Sequence, residues 1–364
     1  MRHSEYGRRE VRFNRDQVWK VKEWARGALV GSLAMVAVSC GSNDPVVTRR
    51  SAATVYGGDS TGARPTSDVK VPMHARKELV ENSAAAVSNE QPGIVFTIND
   101  SGNDPMLFAF DTTGADRGAW VVDSANNVDW EAAAEGPCAS SARGQRAEPN
   151  GRRCIYIGDT GDNSAVRPVV VIYRVLEPRA AAASSIGGGH LKSDRLVFRY
   201  PDGSHDVEAM YVAPDGAVIL ISKRPLYDED GHMRPALVFR LAASAWNAGT
   251  VVTADLVDSL PIVPGTAPWR TITDAALSPD DRYLAVRTYA QVYVFETDSA
   301  TGRRRSGVRP AVCNIYHADD DAGEGIGWVG GGTSRRLVLT SEGRRSPLRI
   351  VTCPLPGGAA SGRR

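Results

Sequence analysis

Short runs of β-branched and aromatic residues recur along the chain, at residues 93–98, 106–110, 119–122, 154–157, 169–175, 195–200, 217–222, 237–241, 283–287, 292–295, 336–340 and 348–352. Turn-forming pairs such as Asp-Gly, Pro-Asp and Asn-Asp punctuate them. Runs this short, bounded by residues that reverse the backbone, predict β-strands. No long stretch keeps the 3.6-residue period of a helix, so the predicted fold class is all-β.

Five segments share a spelling: Glu81-Asn82-Ser83-Ala84-Ala85, Asp129-Trp130-Glu131-Ala132-Ala133, Asp206-Val207-Glu208-Ala209-Met210, Ile272-Thr273-Asp274-Ala275-Ala276 and Ala322-Gly323-Glu324-Gly325-Ile326. The third residue is polar in every copy and the fourth is Ala or Gly. Successive copies lie 48, 77, 66 and 50 residues apart, which suits propeller blades with loops of variable length. Three more strands follow each of the first four copies, with 251–256 ending the third set, and only two follow the last. The expected architecture is therefore a β-propeller of about five four-stranded blades, with six as the alternative if one blade lacks the motif. A strand at 68–71, at the N-terminal edge, supplies the missing outer strand and closes the ring, leaving no open sheet edge. Small residues at the fourth position follow from crowding of the inner strands near the axis.

The ends of the chain have a different texture. Basic residues Arg8, Arg9, Arg12, Arg15, Lys20, Lys22 and Arg26 precede an apolar run at 27–39. Thirteen residues are too few to span a bilayer but suit the apolar part of a signal peptide. The run ends Ala37-Val38-Ser39-Cys40-Gly41, which resembles a bacterial lipobox and implies cleavage before Cys40 and lipidation of its thiol. The alternative is a soluble secreted protein. The expected organisation is a signal peptide at 1–39, a flexible Gly/Ser/Thr-rich tether at 40–67, a propeller at 68–353 and a disordered tail at 354–364. The expected location is thus outside the cytoplasm, on the cell surface or in the periplasm, with a lipid anchor in the membrane. Four cysteines remain besides Cys40, an even number for an oxidising compartment. The strand scheme pairs Cys138 with Cys154 inside one blade and Cys313 with Cys353 across the ring closure, buried free thiols being the other reading.

Charge narrows the partners. Beyond residue 39 the chain carries 35 Lys/Arg against 38 Asp/Glu, and a mildly acidic body argues against nucleic acid, which needs a basic face. The expectation is a monomer with a small-molecule or protein ligand. If the third repeat position opens every inner strand, then Ser83, Glu131, Glu208, Asp274 and Glu324 converge on one mouth of the channel, with Asp129 and Asp206 two residues earlier on the same face. So many carboxylates repel one another unless compensated, and a hard cation such as Ca²⁺, which takes six to eight oxygens, is the simplest compensation. The expected metal ligands are Asp129, Glu131, Asp206, Glu208, Asp274 and Glu324; structural bonding of each acid to backbone N–H groups or to an Arg is the alternative. Ser83, Asp100, Asp159, Asp162, Asn163, Lys223 and Arg287 are candidate ligand-binding residues, with turn chemistry competing at the Asp and Asn positions. His205 is a weaker candidate for a base. Gly58-Asp59-Ser60-Thr61-Gly62 spells a nucleophile-elbow pattern without the strand and helix such a turn needs.

Asp129-Trp130-Glu131, the stretch Ile155-Tyr156-Ile157-Gly158-Asp159-Thr160-Gly161-Asp162-Asn163, Arg167, Tyr173-Arg174-Val175-Leu176-Glu177-Pro178, Tyr200-Pro201-Asp202-Gly203 and Asp206-Val207-Glu208-Ala209 together resemble a family of secreted bacterial β-propeller lipoproteins with no assigned activity. More distantly the chain is similar to SdiA-regulated, phytase-like and lactonase-like propellers, a resemblance that implies Ca²⁺ held by acids at the channel. Two functions follow as expectations. The first is an exported propeller binding Ca²⁺ and a small anionic ligand or protein at its acidic channel. The second is a metal-dependent phosphoesterase or lactonase, or a glycosidase, in which Glu131, Glu208 or Glu324 is the general base.

Overall fold

The computed structural model describes residues 62–74, 76–138, 151–181, 188–223, 226–227, 233–262, 271–316, 323–331 and 334–357. Cys40, the expected signal peptide, the elbow-like pattern up to Thr61 and the tail beyond residue 357 lie outside the described residues. Twenty of the strands form five antiparallel meanders of four, arranged as the blades of a β-propeller. From the axis outward, blade 1 comprises Ala86–Val87, Ile94–Ile98, Met106–Asp111 and Asp116–Asp123. Blade 2 comprises Trp130–Pro137, Arg153–Asp159, Val170–Leu176 and Gly188–Arg199. Blade 3 comprises Val207–Val212, Val218–Ser222, Ala236–Leu241 and Asp255–Leu260. Blade 4 comprises Ile272–Leu277, Tyr283–Thr288, Gln291–Glu296 and Ala311–Asn314. Blade 5 takes Gly323–Val329, Arg336–Ser341 and Leu348–Thr352, and its outer strand is the N-terminal Ser67–Val71, paired from Ser67↔Thr352 to Val71↔Leu348. A two-stranded hairpin, Leu226–Tyr227 with Met233–Arg234, interrupts blade 3.

The uninterrupted apolar runs make sense in this stack. Side chains alternate across a strand, and here both faces meet a neighbouring blade. In the second strand of blade 3, Val218 and Leu220 pack toward blade 2, whereas Ile219 and Ile221 pack toward blade 4. Five apolar layers result, one between each pair of adjacent blades and the last between blades 5 and 1. Each fully buried aliphatic side chain in them contributes roughly 2 kcal/mol. Small residues let the inner strands crowd together: a Cβ on Gly325 would stand 2.6 Å from the backbone of Ala84, and one on Gly136 would stand 2.4 Å from Val212.

At the periphery the blades are tied to one another. The outer strands of blades 1 and 2 pair in parallel from Ala119↔Gly188 to Asp123↔Lys192. Val252–Thr253, leading into the outer strand of blade 3, pairs in parallel with Phe198 and Arg199 of blade 2. The outer strand expected at 251–256 therefore begins later, at Asp255, because the residues before it cross to the neighbouring blade. Arg304 of blade 4 pairs with Asp258 of blade 3, Ala63 bridges to Cys313 and His74 to Ala115. Disulfides Cys138–Cys154 and Cys313–Cys353 are both formed. The first ties the two inner strands of blade 2 at their far end, and the second joins blades 4 and 5.

Candidate functional site

Every inner strand slips by one residue against its neighbour where it leaves the channel mouth. The register shifts between Trp130 and Ala132, between Val207 and Ala209, between Ile272 and Asp274, and between Gly323 and Ile326. In blade 1 the shift lies between the Asn82↔Asn99 bridge and the Ala86↔Phe96 pair. These are β-bulges, which leave one residue unpaired and re-aim its side chain. The extra residue is Glu131, Glu208 and Thr273 in blades 2, 3 and 4, and falls at or beside Ser83 and Glu324 in the other two. The shared spelling of the five segments is thus the spelling of a bulge.

Blade 4 departs from the expected alignment by one residue. Asp274 pairs with Arg287, as Ala132 pairs with Gly158 and Ala209 with Ile221. It therefore fills the slot of the small residue, and Thr273 is the counterpart of Glu131 and Glu208. In that slot the Asp274 carboxylate accepts backbone N–H groups from Ala275 (2.8 Å), Ile326 (2.8 Å) and Ala85 (3.3 Å), pinning blades 4, 5 and 1 together. Complete burial pushes its carboxyl well above the usual range, with the three amides and Arg287 pulling the other way.

Several other candidate residues are also held by protein groups. Glu208 is buried against the Lys223 ammonium, and the Lys223 N–H donates to the Asp206 carbonyl (2.9 Å). Asp206 accepts the Asp162 N–H (2.8 Å). Asp162 itself accepts the N–H groups of Val166 (2.9 Å) and Arg167 (2.7 Å), while Asp159 accepts the Asp129 N–H (3.1 Å) and the Arg167 guanidinium (2.8 Å). Asp159 and Asp162 thus shape their own turn, and Asn163 stands exposed beside it. Arg287 donates to the carbonyls of Gly325 and Thr340 (both 2.6 Å), in space left because Gly323 has no Cβ. Tyr289 donates to Glu324 (3.2 Å). His205 bonds Asp202 (2.8 Å) and packs against Tyr200 and Phe239, away from a catalytic pose.

Three acids remain together. One ligand oxygen from each of Asp100, Asp129 and Glu131 lies within 4.8 Å of the others. Glu131 is 7% exposed and makes no hydrogen bond to described residues. Gly161, the second glycine of the Gly158–Asn163 stretch, makes this approach possible: a Cβ there would fall 2.6 Å from the Asp129 carboxyl and 2.7 Å from Cγ of Glu131. Burial first, and then Asp100 and Asp206, push the Asp129 carboxyl up to about 6. Burial and Asp100 push Glu131 well above the ordinary range, with Lys223 opposing. Across the mouth, Glu342 is pushed up to about 7 by burial, then by Glu324, Asp100 and Glu81. The hydroxyls of Ser83 and Thr273, at or beside the bulges, are buried and find no hydrogen-bond partner among the described residues. An acid cluster of this kind, with oxygen-only donors, fits a hard cation. Thr273, Glu81 and Tyr289 were not among the expected site residues; the bulge that would have revealed Thr273 leaves no mark in hydropathy.

No family model matches the chain, and no curated protein sequence matches it. Solved structures that resemble it include a gluconolactonase from Xanthomonas campestris, 14% identical over 80% of this chain and 99% of that one, with a TM-score of 0.36. Two others are the glutaminyl cyclase of Myxococcus xanthus (12%, 79% and 94%, TM-score 0.36) and the Malassezia sympodialis allergen Mala s 1 (9%, 79% and 96%, TM-score 0.44). These scores are low, and the propeller architecture rests on the strand pairing and the five inter-blade layers.

Proposed function

We propose that this protein is an exported propeller, anchored through a lipid on Cys40, that binds Ca²⁺ at its acidic channel mouth and there receives a small anionic ligand or a protein. Asp100, Asp129 and Glu131 are the ligands, and Lys223 stands at the same mouth as a fixed positive charge. The two disulfides suit an oxidising compartment. The observation that carries the proposal is the convergence of three oxygens within 4.8 Å around a buried Glu131 that no described residue hydrogen-bonds. Acids serving as structural glue have donors, as Asp274 does; Glu131 accepts from none among the described residues. The hydrolase alternative needs a base free to take a proton from water. In this reading Glu131 is engaged by the cation and so does not serve as that base.

Thermal unfolding with Ca²⁺ and with chelator tests this reading. Saturating Ca²⁺ at about 100 times Kd stabilises by about 2.7 kcal/mol, so the midpoint rises by several degrees. Glu131→Gln abolishes that rise, and in chelator it melts at or above the native protein because the buried side chain can no longer ionise beside Asp100 and Asp129. Equal midpoints for the native protein with and without Ca²⁺ sink the proposal.

A further inference from the structure

The outermost strand of blade 2, Gly188–Arg199, has a gap along its outer edge. Its first residues pair in parallel with blade 1 as far as Asp123↔Lys192, and its last two pair in parallel with Val252–Thr253. Between those partners, residues 193–197 pair only inward, with Val175 through Val171 of the third strand. Among the described residues no strand covers the other side. These five residues instead form the floor of a groove of about 590 Å³, walled by Trp246 and Asn247 of the single-turn helix Ala243–Asn247 and by Gly249, Thr250 and Val251. Trp246 is fixed in place, edge-on to Tyr156 and under the Arg174 guanidinium, 4.3 Å from its ring centroid. Val251 is 45% exposed. Asp194 is held by Arg174 (2.6 Å), whereas Arg195 is exposed and pairs with no acid among the described residues.

An uncovered strand edge offers a row of backbone donors and acceptors. Proteins recognise extended peptides by adding them to such an edge, the backbone bonds giving affinity and the alternate side chains giving selectivity. We propose that this groove binds an extended peptide segment of another protein as an added strand, parallel to Gly188–Arg199. The parallel sense follows from the two strands that flank the gap. Five residues at about 3.3 Å each make a slot roughly 16 Å long. Leu196 lies in the layer between blades 2 and 3, while Val197 packs on the layer between blades 1 and 2. Arg195, with the same parity as Val197, therefore faces the opposite side from Asp194 and Leu196. The favoured peptide alternates accordingly: apolar residues toward Trp246 and Val251, and an acidic residue between them toward Arg195. This site is independent of the channel mouth and of any cation bound there.

The test uses the full chain and two fluorescein-labelled pentapeptides, one alternating Val with Glu and one alternating Val with Lys, read by fluorescence anisotropy. The Val/Glu peptide binds, and the Val/Lys peptide binds at least tenfold more weakly. Arg195→Glu reverses that order, since a misplaced like charge at an interface is costly. Because Arg195 is exposed, this variant keeps the fold. N-methylation of alternate backbone nitrogens on the Val/Glu peptide removes its hydrogen-bond donors and abolishes binding. The proposal is overturned if neither peptide binds at 1 mM, an order-of-magnitude ceiling for weak peptide recognition. It is likewise overturned if the N-methylated peptide binds equally well, or if sedimentation shows a dimer of this chain that Arg195→Glu dissolves, which would give the groove to a second copy.

Discussion

At the scale of single residues, what distinguishes the acids of this propeller is the presence or absence of a donor. Asp274 sits deepest and is satisfied by three amides from three blades. Glu208 is given to Lys223. Asp129 and Glu342 remain as carboxyls whose folded pKa values, about 6 and about 7, exceed the ordinary value near 4. A group raised in this way binds more protons folded than unfolded, so its stabilisation is fully present below pH 4 and disappears as pH rises through the folded value. In chelator, the contribution of this pair to stability therefore falls between about pH 4 and pH 7. Denaturant midpoints measured across that window, for the native protein against Asp129→Asn with Glu342→Gln, show its share: the double variant declines less steeply, the remaining fall belonging to Glu131 and Asp274, which burial also raises. If Ca²⁺ is the natural compensation, adding it flattens the curve of the native protein as well, since binding replaces the bound protons.

Among the elements, the inner strands shape the channel mouth and the longer disulfide joins the last two blades. A bulge at the mouth of each inner strand is the device that lets a side chain leave the sheet and face the axis, and its one-residue shift explains why Asp274 and Thr273 exchange expected places. The Cys313–Cys353 bond spans 40 residues of sequence and joins the outer strand of blade 4 to the end of blade 5, whereas Cys138–Cys154 spans 16 within one blade. Loop-closure entropy gives the longer link roughly 4 kcal/mol and the shorter about 3 kcal/mol. The longer one also secures the last blade, so replacing both of its cysteines by serine lowers the urea midpoint more than the same change at Cys138 and Cys154. Equal shifts would mean that the ring closure draws nothing extra from the bond.

Taken as one molecule, the propeller is a cycle of apolar layers, and a cycle is only as stable as its weakest junction. Blade 5 borrows Ser67–Val71 from the start of the domain, a mostly exposed strand held by backbone pairing, the Asp68–Arg349 ion pair (2.9 Å), the Ser67–Thr352 hydroxyl bond (2.6 Å) and Val71 against the layer between blades 5 and 1. A chain beginning at residue 72 leaves Leu348–Thr352 as a bare edge, which invites pairing between copies. Size-exclusion chromatography of that shortened chain shows aggregates or higher oligomers. A monomeric profile with unchanged melting would show that the latch is dispensable.

The all-β class, the strand positions, the borrowed N-terminal strand and the cysteine pairs were legible in the chain itself, because turn residues and apolar runs act locally and the repeat copies them around the ring. The convergence of Glu131 with Asp129 was legible for the same reason. Three features were decided only by tertiary structure. Which residue of blade 4 faces the axis depends on a bulge, a feature of pairing between strands that hydropathy does not encode. The partner of each acid depends on groups brought from distant blades: Ala85 and Ile326 to Asp274, Asp100 to Glu131. The groove beside Arg195 exists because the strands covering one edge come from two different blades and stop short of each other, a gap that belongs to the assembled ring and to no single stretch of sequence.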